Sequence, residues 1–315
     1  MATKRSAPLK EIDIKADPAV IIASIRKALK HWETDWQPTS FLTTGSPMMD
    51  ACLGTPGHGI PYGKMIELFG PESSGKSATA LDLIAAAQSN GAATIWLDAE
   101  NSWEKRWARI RGVKCKPLFL IQPYLGRFGT DKELRMSSAE ELCSEAEKVM
   151  RLLSVKRGGS TLMVVDSVTA LLSRGESEAG IENQNMRTKL SLPQFLGQLL
   201  RRWVGVCQAT NTTIIFINQL RINPNQLFGN PEYQPGGKAL KFYCHIRAAV
   251  RRGNKGGLLV NAAGKKLGIR GVITCVKTKV GGEEGTKVGY KIYDDGRTVY
   301  VPAKDVKVTS TEDKE

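Results

Sequence analysis

The chain has 315 residues, of which 41% are hydrophobic and 24% charged, as in a typical globular protein. This composition excludes a disordered, collagen-like or membrane-spanning chain, and the length allows one large domain or two modest ones. Lysine and arginine outnumber aspartate and glutamate by 45 to 31, a formal net charge of +14, so a polyanionic partner is expected, nucleic acid first and an anionic membrane second.

The amino-terminal region has an amphipathic segment and no apolar stretch typical of a secretory signal. Apolar residues recur at three- and four-residue spacing over residues 18–33, which predicts one helix. Proline and glycine are then frequent up to residue 63, and this linker holds one short predicted strand, 41–44.

Strands and helices alternate from residue 64 onward. The predicted order is strand 65–69, helix 76–89, strand 93–98, mixed segments to about 157, strand 161–166, helix 192–209 and strand 213–218. Apolar strands separated by helices predict an α/β fold with a mainly parallel sheet covered on both faces. After residue 242 the glycine and β-branched content rises, which predicts further strands, some of them antiparallel. The final residues, TSTEDKE, are expected to form a frayed tail.

The six cysteines lie far apart, without a C-x-x-C pair. This spacing disfavours a zinc site or a disulfide framework and favours free thiols, so a cytoplasmic protein is expected. The longest apolar stretch, about residues 161–172, is broken by Asp166 and is too short to cross a bilayer.

The sharpest motif fits G-x-x-x-x-G-K-[ST] without a mismatch. Its residues are Gly70, Pro71, Glu72, Ser73, Ser74, Gly75, Lys76 and Ser77. The motif follows a predicted strand and opens a predicted helix, which is the context that a phosphate-binding loop requires. Backbone N–H groups and the helix dipole favour phosphate there, while Lys76 is expected to bridge the β- and γ-phosphates and Ser77 to bind Mg²⁺. The motif therefore predicts a nucleoside triphosphate site.

Carboxylates and amides end three of the predicted strands. At the end of IWLDAE, a carboxylate from Asp98 or Glu100 is suited to polarise the attacking water, but it can equally be solvated or cap a helix. Asp166 follows four apolar residues, and beside a phosphate loop such a carboxylate orients Mg²⁺, usually through a water. Asn218 or Gln219, at the end of the next strand, either contacts the γ-phosphate or caps the strand.

Two long polar segments, about 175–190 and 221–237, are predicted loops. Unstructured loops of this length are uncommon in compact domains and are usually functional or disordered. Their composition suits binding to a nucleic-acid backbone, and the alternative is a flexible lid over the nucleotide.

Several blocks of sequence together resemble the bacterial RecA recombinases. They are GPESSGKS, LIAAAQ, WLDAE, VVDSVTAL, IFINQLR, LFGNPE and GGKALKFY, within a resemblance that runs from about residue 41 to 300. The block FGNPE followed by GG-x-ALKFY is specific to this family rather than to phosphate-loop ATPases in general. The resemblance implies a RecA-type ATPase core, with a mainly parallel central sheet flanked by helices and a small N-terminal helix–strand assembly element.

The resemblance also implies roles at the nucleotide. Glu100 matches the catalytic glutamate that activates water, and Gln219 matches the glutamine that senses the γ-phosphate and couples it to the adjoining DNA loop. Lys277 and Lys279 match two lysines that reach a neighbouring subunit's ATP, as an arginine finger does, although K-x-K on a strand is otherwise a solvated face. Three more matches lie near the adenine base: Glu104, Trp107 and Tyr300.

By the same resemblance, both long loops bind DNA. The expected contacts are Met186, Arg187, Arg201, Arg221, Phe228, Gly236 and Gly237. Contacts of this kind, to phosphates and base faces, are tolerant of sequence and sensitive to salt. Six basic residues outside the loops either help to bind a second duplex or solvate the surface: Arg247, Arg251, Arg252, Lys255, Lys265 and Lys266.

The resemblance suggests three parts, which are a polymerisation helix and linker over 1–40, an ATPase core over 41–302 and a tail over 303–315. Only fifteen residues follow Tyr300, so the family's C-terminal domain is expected to be absent. Pro193 is expected to interrupt the helix after the first loop.

These expectations together imply a DNA-dependent ATPase that uses ATP and Mg²⁺. It would polymerise into a helical filament on single-stranded DNA and promote pairing and strand exchange with a homologous duplex, without membrane contact. Two alternatives are a ring-forming DNA helicase or repair ATPase, and a non-enzymatic filament that coats single-stranded DNA.

Overall fold

The computed structural model describes residues 38–128, 133–179, 191–222, 232–253 and 257–306. The chain divides into two units, Met1–Pro38 and Thr39–Glu315, and apart from Pro38 the described residues all belong to the second. The predicted helix 18–33 therefore lies outside the described residues.

Helices and strands alternate through most of the second unit. The helices are α1 (Pro47–Leu53), α2 (Lys76–Ser89), α3 (Lys105–Ile110), α4 (Ala139–Arg157), α5 (Arg174–Ala179), α6 (Ser191–Thr210) and α7 (Ala239–Tyr243). The first eight strands are β1 (Phe41–Leu42), β2 (Ile60–Pro61), β3 (Met65–Gly70), β4 (Ala93–Asp98), β5 (Leu118–Ile121), β6 (Leu125–Phe128), β7 (Glu133–Met136) and β8 (Thr161–Asp166). The remaining strands are β9 (Thr212–Gln219), β10 (Arg221–Ile222), β11 (Glu232–Tyr233), β12 (Ile246–Arg252), β13 (Leu258–Val260), β14 (Lys266–Thr278), β15 (Lys287–Tyr293) and β16 (Thr298–Pro302).

A ten-stranded sheet forms the centre of the molecule. Its order is β16-β15-β14-β12-β3-β9-β8-β4-β5, with β13 paired to β14. The run from β12 to β5 is parallel throughout, whereas β13 to β16 extend the sheet with antiparallel pairs. The predicted α/β fold with a mainly parallel sheet is confirmed, and so are the antiparallel strands after residue 242.

Helices cover both faces of this sheet because the central strands are apolar on both sides. In β3, Ile66 and Leu68 face one core, which α1 and α2 complete. Met65 faces the opposite core, which is filled mainly from α4 and α6, with Trp203 as its largest fully buried side chain.

Local signals account for the ends of the long helices. Ser138 and Glu141 form a capping box at the start of α4, and Gly158 ends that helix in the left-handed conformation, at φ 64°. Helix α6 begins at Ser191, so Pro193 lies in its first turn, where the missing N–H has no helical partner to lose. The expectation that Pro193 interrupts this helix is wrong.

The thiols of the described residues match the expectation from their spacing. All six cysteines fall within those ranges, and none of them forms a disulfide. Burial raises the pKa of Cys52 to about 12, so its thiol stays protonated near neutral pH. Across the same ranges, no helix combines the length and the apolar character needed to span a bilayer.

Candidate nucleotide-binding site

The carboxyl ends of four neighbouring strands meet at one edge of the sheet. Gly70 at the end of β3 is in register with Gln219 at the end of β9. Asp98 at the end of β4 is in register with Asp166 at the end of β8. The parallel topology therefore collects the predicted phosphate loop, Mg²⁺ carboxylate and sensing amide along this edge.

Glycine is required at two positions of the phosphate loop. At Gly75, φ is 90° and a Cβ atom would lie 2.8 Å from Ile292 Cδ1. At Gly70, a Cβ atom would lie only 2.0 Å from the Val250 carbonyl oxygen. Helix α2 begins directly after Gly75, so its free N–H groups point into the loop.

The Lys76 ammonium lies against the main chain of the loop. Its Nζ donates hydrogen bonds to the carbonyl oxygens of Gly70, at 3.0 Å, and Pro71, at 2.6 Å. Burial lowers the pKa of Lys76, while the charges of Asp166, Glu100 and Glu72 act in the opposite direction. A cation held in this loop is well placed for phosphate oxygens.

A buried tyrosine supports the loop from behind. The Tyr290 hydroxyl, on β15, donates to the Ser74 carbonyl oxygen at 2.6 Å. Its ring is fully buried, and Gly271 on β14 leaves room for it, because a Cβ atom there would lie 2.2 Å from the hydroxyl oxygen. No motif in the sequence marks Tyr290, and only its place in an apolar strand hints at burial.

Asp166 and Ser77 form the candidate cation site. Burial raises the pKa of Asp166 to about 7; the charges of Glu100 and Asp98 also raise it, whereas a hydrogen bond from Ser77 and the charge of Lys76 lower it. The residues fit Mg²⁺, because a buried carboxylate with anionic neighbours favours a cation and the hydroxyl supplies a second oxygen. Within the described ranges no three His, Cys, Asp or Glu side chains are grouped to hold a metal, so phosphate and water oxygens would complete the coordination.

The two carboxylates at the end of β4, Asp98 as its last residue and Glu100 two residues later, have separate environments. Asp98 is fully buried and accepts hydrogen bonds from the backbone N–H groups of Ser102 and Trp103 and from Gln122 Nε2, at 2.8–3.0 Å. It therefore holds the turn that follows the strand. Glu100 is exposed and accepts from the Ser167 hydroxyl and from Gln219 Nε2, the latter at 3.0 Å.

The two amide side chains at the end of β9 also have different hydrogen-bond partners. Asn218 is buried and donates to Glu67 Oε1 at 2.8 Å, inside the sheet. Gln219 contacts Glu100, and the next residue, Leu220, donates its N–H to the Gly70 carbonyl oxygen at 3.1 Å. The structure thus brings Gln219, Glu100 and the phosphate loop together.

The three residues predicted to contact the adenine base lie in or beside a polar cluster around Arg111. The Tyr300 hydroxyl donates to Asp82 at 3.1 Å, and Arg111 donates to the other oxygen of that carboxylate at 2.6 Å. The Arg111 guanidinium lies 5.2 Å from the centre of the Trp107 ring, which is partly buried. Glu104 caps α3 by accepting from two backbone N–H groups, including that of Trp107. Their contact with a base stays a prediction.

Lys277 and Lys279 lie at the opposite edge of the sheet. Thr278 is in register with Ile246, and Ile246 with Ile66 near the start of β3, about 13 Å along the strands from Gly70 at the usual rise per residue. Lys277 Nζ donates to three carbonyl oxygens at the end of α7, at 2.6–3.2 Å. Within one chain, the structure does not bring these lysines to the phosphate loop.

Three of the predicted DNA contacts, Met186, Arg187 and Phe228, lie outside the described residues. Arg201 is exposed on α6, and Arg221 is exposed on β10. The other two are Gly236 and Gly237, which have positive φ and pack against the first turns of α6, near Pro193 and Leu196.

The ends of both predicted loops have regular structure, because residues 175–179 belong to α5 and the second segment begins at β10 and includes β11. These ends are also anchored. At the first loop, the Ser173 hydroxyl lies 2.5 Å from the Ser191 hydroxyl. At the second loop, β10 and β11 pair as an antiparallel ladder, with Arg221 opposite Tyr233. The basic residues near the second loop are engaged as well, because Arg251 pairs with Glu232 on β11. Arg247 is buried against Glu67 and is therefore not a surface cation.

Comparison with known proteins identifies the family. The sequence model of the RecA N-terminal domain matches residues 24–293. Over 241 residues, 76% of the chain, the sequence is 37% identical to Protein RecA of Lactobacillus acidophilus and 37% identical to Protein RecA of Staphylococcus aureus. These alignments cover 59% and 62% of the two relatives, so the chain spans about three fifths of the length of the curated relatives it matches. On these matches, the chain belongs to the RecA family.

Proposed function

We propose that this chain is an ATP-dependent DNA recombinase of the cytoplasm, which forms a helical filament on single-stranded DNA and promotes pairing and strand exchange with a homologous duplex. The observation that carries the proposal is the arrangement at the end of β9. Gln219 contacts Glu100, Leu220 contacts the phosphate loop, and the second long loop begins directly afterwards at Arg221. A nucleotide site and a candidate polyanion-binding loop therefore share one strand end.

ATP would be held by the phosphate loop, residues 70–77, through its free backbone N–H groups and Lys76, and Mg²⁺ by Ser77 and Asp166 together with phosphate oxygens. The metal, when bound, neutralises phosphate charge. Glu100 is positioned to accept a proton from an attacking water, and Gln219 to respond to the γ-phosphate. In this proposal Trp107 and Tyr300 flank the base and Glu104 contacts its edge.

Assembly would complete the site. Lys277 and Lys279 are too far from their own phosphate loop, but a head-to-tail neighbour brings one copy's far edge to the next copy's nucleotide. A head-to-tail interface that does not close into a ring generates a helix. We assign residues 1–40 to this assembly, 41–302 to the ATPase core and 303–315 to a tail.

The two rival functions are less well supported. A ring-forming helicase or repair ATPase would not require the FGNPE and GG-x-ALKFY blocks, which resemble recombinases specifically. A non-enzymatic DNA coat would not require a carboxylate at position 100 facing the amide of Gln219.

The test is the rate of ATP hydrolysis with and without single-stranded DNA at low and high salt. We expect strong stimulation by DNA that weakens as salt rises, because phosphate contacts release counterions. Hydrolysis that is indifferent to DNA would leave a phosphate-loop ATPase with another task. Strand-exchange assays then separate a recombinase from a helicase.

A further inference from the structure

A buried ionic network crosses three central strands beside the nucleotide edge. Glu67 on β3 is fully buried, and its two oxygens accept from Asn218 Nδ2 on β9, at 2.8 Å, and from Arg247 Nε on β12, at 2.5 Å. Arg247 also lies over the Phe69 ring, 4.7 Å from its centre. These side chains share one face of the sheet, because Arg247 is in register with Glu67, and Asn218 with Phe69.

The network continues out of the sheet to the second long loop. Arg247 Nη2 donates to Gln234 Oε1 at 2.8 Å. Gln234 directly follows β11, the strand by which the chain returns from that loop, and it precedes the glycine pair that packs against α6. One guanidinium therefore joins a carboxylate in the sheet to the return side of the loop.

Stability alone does not account for this arrangement. Replacing a buried ion pair by apolar side chains of similar volume is often neutral or stabilising, because both ions lose their hydration. The neighbouring positions of the sheet face are apolar, with Met65 and Phe216 fully buried. We infer that the charged pair serves instead to fix a specific arrangement of the groups bonded to it.

The groups so fixed belong to the nucleotide site and to the loop. Asn218 adjoins Gln219, which contacts Glu100. The second loop begins two residues after Gln219, at Arg221. The end of the loop, at β11, pairs with β10, and Gln234 after it is linked to β9 by a second route, through Arg247, Glu67 and Asn218.

We propose that Arg247 is a positioning residue that couples the nucleotide site to the return side of the second DNA loop, by joining Gln234 to Glu67 and Asn218. The inference rests on the proposed DNA-binding function and assigns a regulatory connection within it. A shift of β9 on nucleotide binding moves Asn218, and the network carries that shift to β11. Allosteric coupling of this kind typically changes affinity by 5–150-fold.

The test measures the ratio of two dissociation constants for a labelled oligothymidylate, without nucleotide and with a slowly hydrolysed ATP analogue and Mg²⁺. In Gln234→Ala and in Arg247→Lys we expect this ratio to fall about tenfold from the wild-type value. Gln234 is only partly buried, so Gln234→Ala is expected to fold. In Arg247→Lys the charge beside Glu67 remains, but a single ammonium lacks the planar fork that bonds Glu67 and Gln234 together. Analogue affinity without DNA and the unfolding temperature should be unchanged for Gln234→Ala.

Two further variants separate coupling from simple anchoring. Gln234→Glu keeps an acceptor oxygen for Arg247 and should retain the wild-type ratio. Arg251→Gln removes the ion pair that links β12 to Glu232 on β11, but does not touch Glu67 or Asn218. It should weaken DNA binding equally with and without nucleotide, so that the ratio is kept.

The outcomes distinguish this proposal from the proposed function. A wild-type ratio near one would overturn both. A large wild-type ratio that Gln234→Ala and Arg247→Lys leave unchanged would overturn the coupling role alone. If the ratio fell as much in Arg251→Gln as in Gln234→Ala, the coupling role would also be overturned, because general anchoring of β11 would then explain the effect.

Discussion

Asp98 and Glu100, two carboxylates at the end of β4, have different structural roles. Asp98 is buried and organises the following turn through backbone N–H groups, while Glu100 is exposed beside Gln219. Aspartate and glutamate are both compatible with a strand end. Side chains at positions i and i+2 of a strand lie on the same side, so alternation does not distinguish Asp98 from Glu100. The strand pattern therefore left both carboxylates as candidates for the residue that polarises water. The resemblance assigned that role to Glu100, and the hydrogen-bond partners show that the two side chains have different environments.

Glu100→Gln should abolish most hydrolysis without loss of nucleotide binding. An amide has no basic oxygen to accept the water's proton, and a general base typically contributes 10²–10⁴-fold, so kcat should fall by roughly a hundredfold or more. Steady-state hydrolysis and binding of a fluorescent ATP analogue measure the two effects.

Asp98→Ala is the contrasting variant. Its buried hydrogen-bond donors lose a charged acceptor, so the free energy of unfolding should fall by about 3 kcal/mol in urea titration. If Asp98→Ala were as stable as the wild type and catalytically dead, while Glu100→Gln stayed active, the two assignments would have to be exchanged.

Asp166 should give the nucleotide-free protein a specific pH dependence. The folded carboxyl, with a pKa of about 7, keeps its proton to higher pH than the unfolded one, whose ordinary pKa is 3.8. The folded state binds more protons between these values, so its stability falls as pH rises through that window. Relative to Asp166→Asn, which does not titrate, the wild type should lose about 3 kcal/mol of unfolding free energy between pH 5 and 8. Urea titrations at both pH values measure it, and a constant difference between the two proteins would contradict the assignment.

At the scale of elements, the apolar pattern and the residues that end each element predicted the parallel half of the sheet well. Helix 76–89 and strands 93–98 and 161–166 have the predicted bounds, because glycine or carboxylate residues mark their ends and the runs between are strongly apolar. The contribution of β14 and β15 to the phosphate loop was not predictable. It depends on a contact between Tyr290 and Ser74, which are 216 residues apart in sequence.

Tyr290→Phe tests this support. The change removes one buried hydrogen bond to the Ser74 carbonyl oxygen, so the unfolding free energy should fall by about 1 kcal/mol. The affinity for an ATP analogue should also fall, because the phosphate loop loses the hydrogen bond that holds Ser74 in place. Isothermal titration measures the affinity, and Tyr293→Phe on the same strand is the matched control. Equal affinity in both variants would mean that the loop holds its shape without Tyr290.

At the scale of the molecule, the net charge predicts a polyanionic partner, whereas the sheet topology determines where the basic residues lie. The surplus of fourteen positive charges predicted a polyanionic partner but not its location. In the structure Arg247 and Arg251 are engaged in ion pairs, which the composition cannot reveal. The separation of Lys277 and Lys279 from the phosphate loop follows from the order β14-β12-β3, in which Ile246 on β12 pairs with Ile66 on β3, 180 residues earlier in the sequence.

Because of that separation, the proposed function requires an ATPase site that is shared between copies of the chain. Lys279 is exposed at the far edge, so Lys279→Ala should fold normally and yet lose DNA-stimulated hydrolysis. Glu100→Gln loses it from the other side of the interface. In a mixture, some interfaces join an intact Glu100 to an intact Lys279.

The measurement is the DNA-stimulated rate of ATP hydrolysis in an equimolar mixture of Glu100→Gln and Lys279→Ala, beside each variant alone. Random head-to-tail assembly places both intact residues at one interface in four, so we predict recovery to about a quarter of the wild-type rate. A mixture no faster than the average of the two separate variants would contradict a site completed by a neighbouring chain.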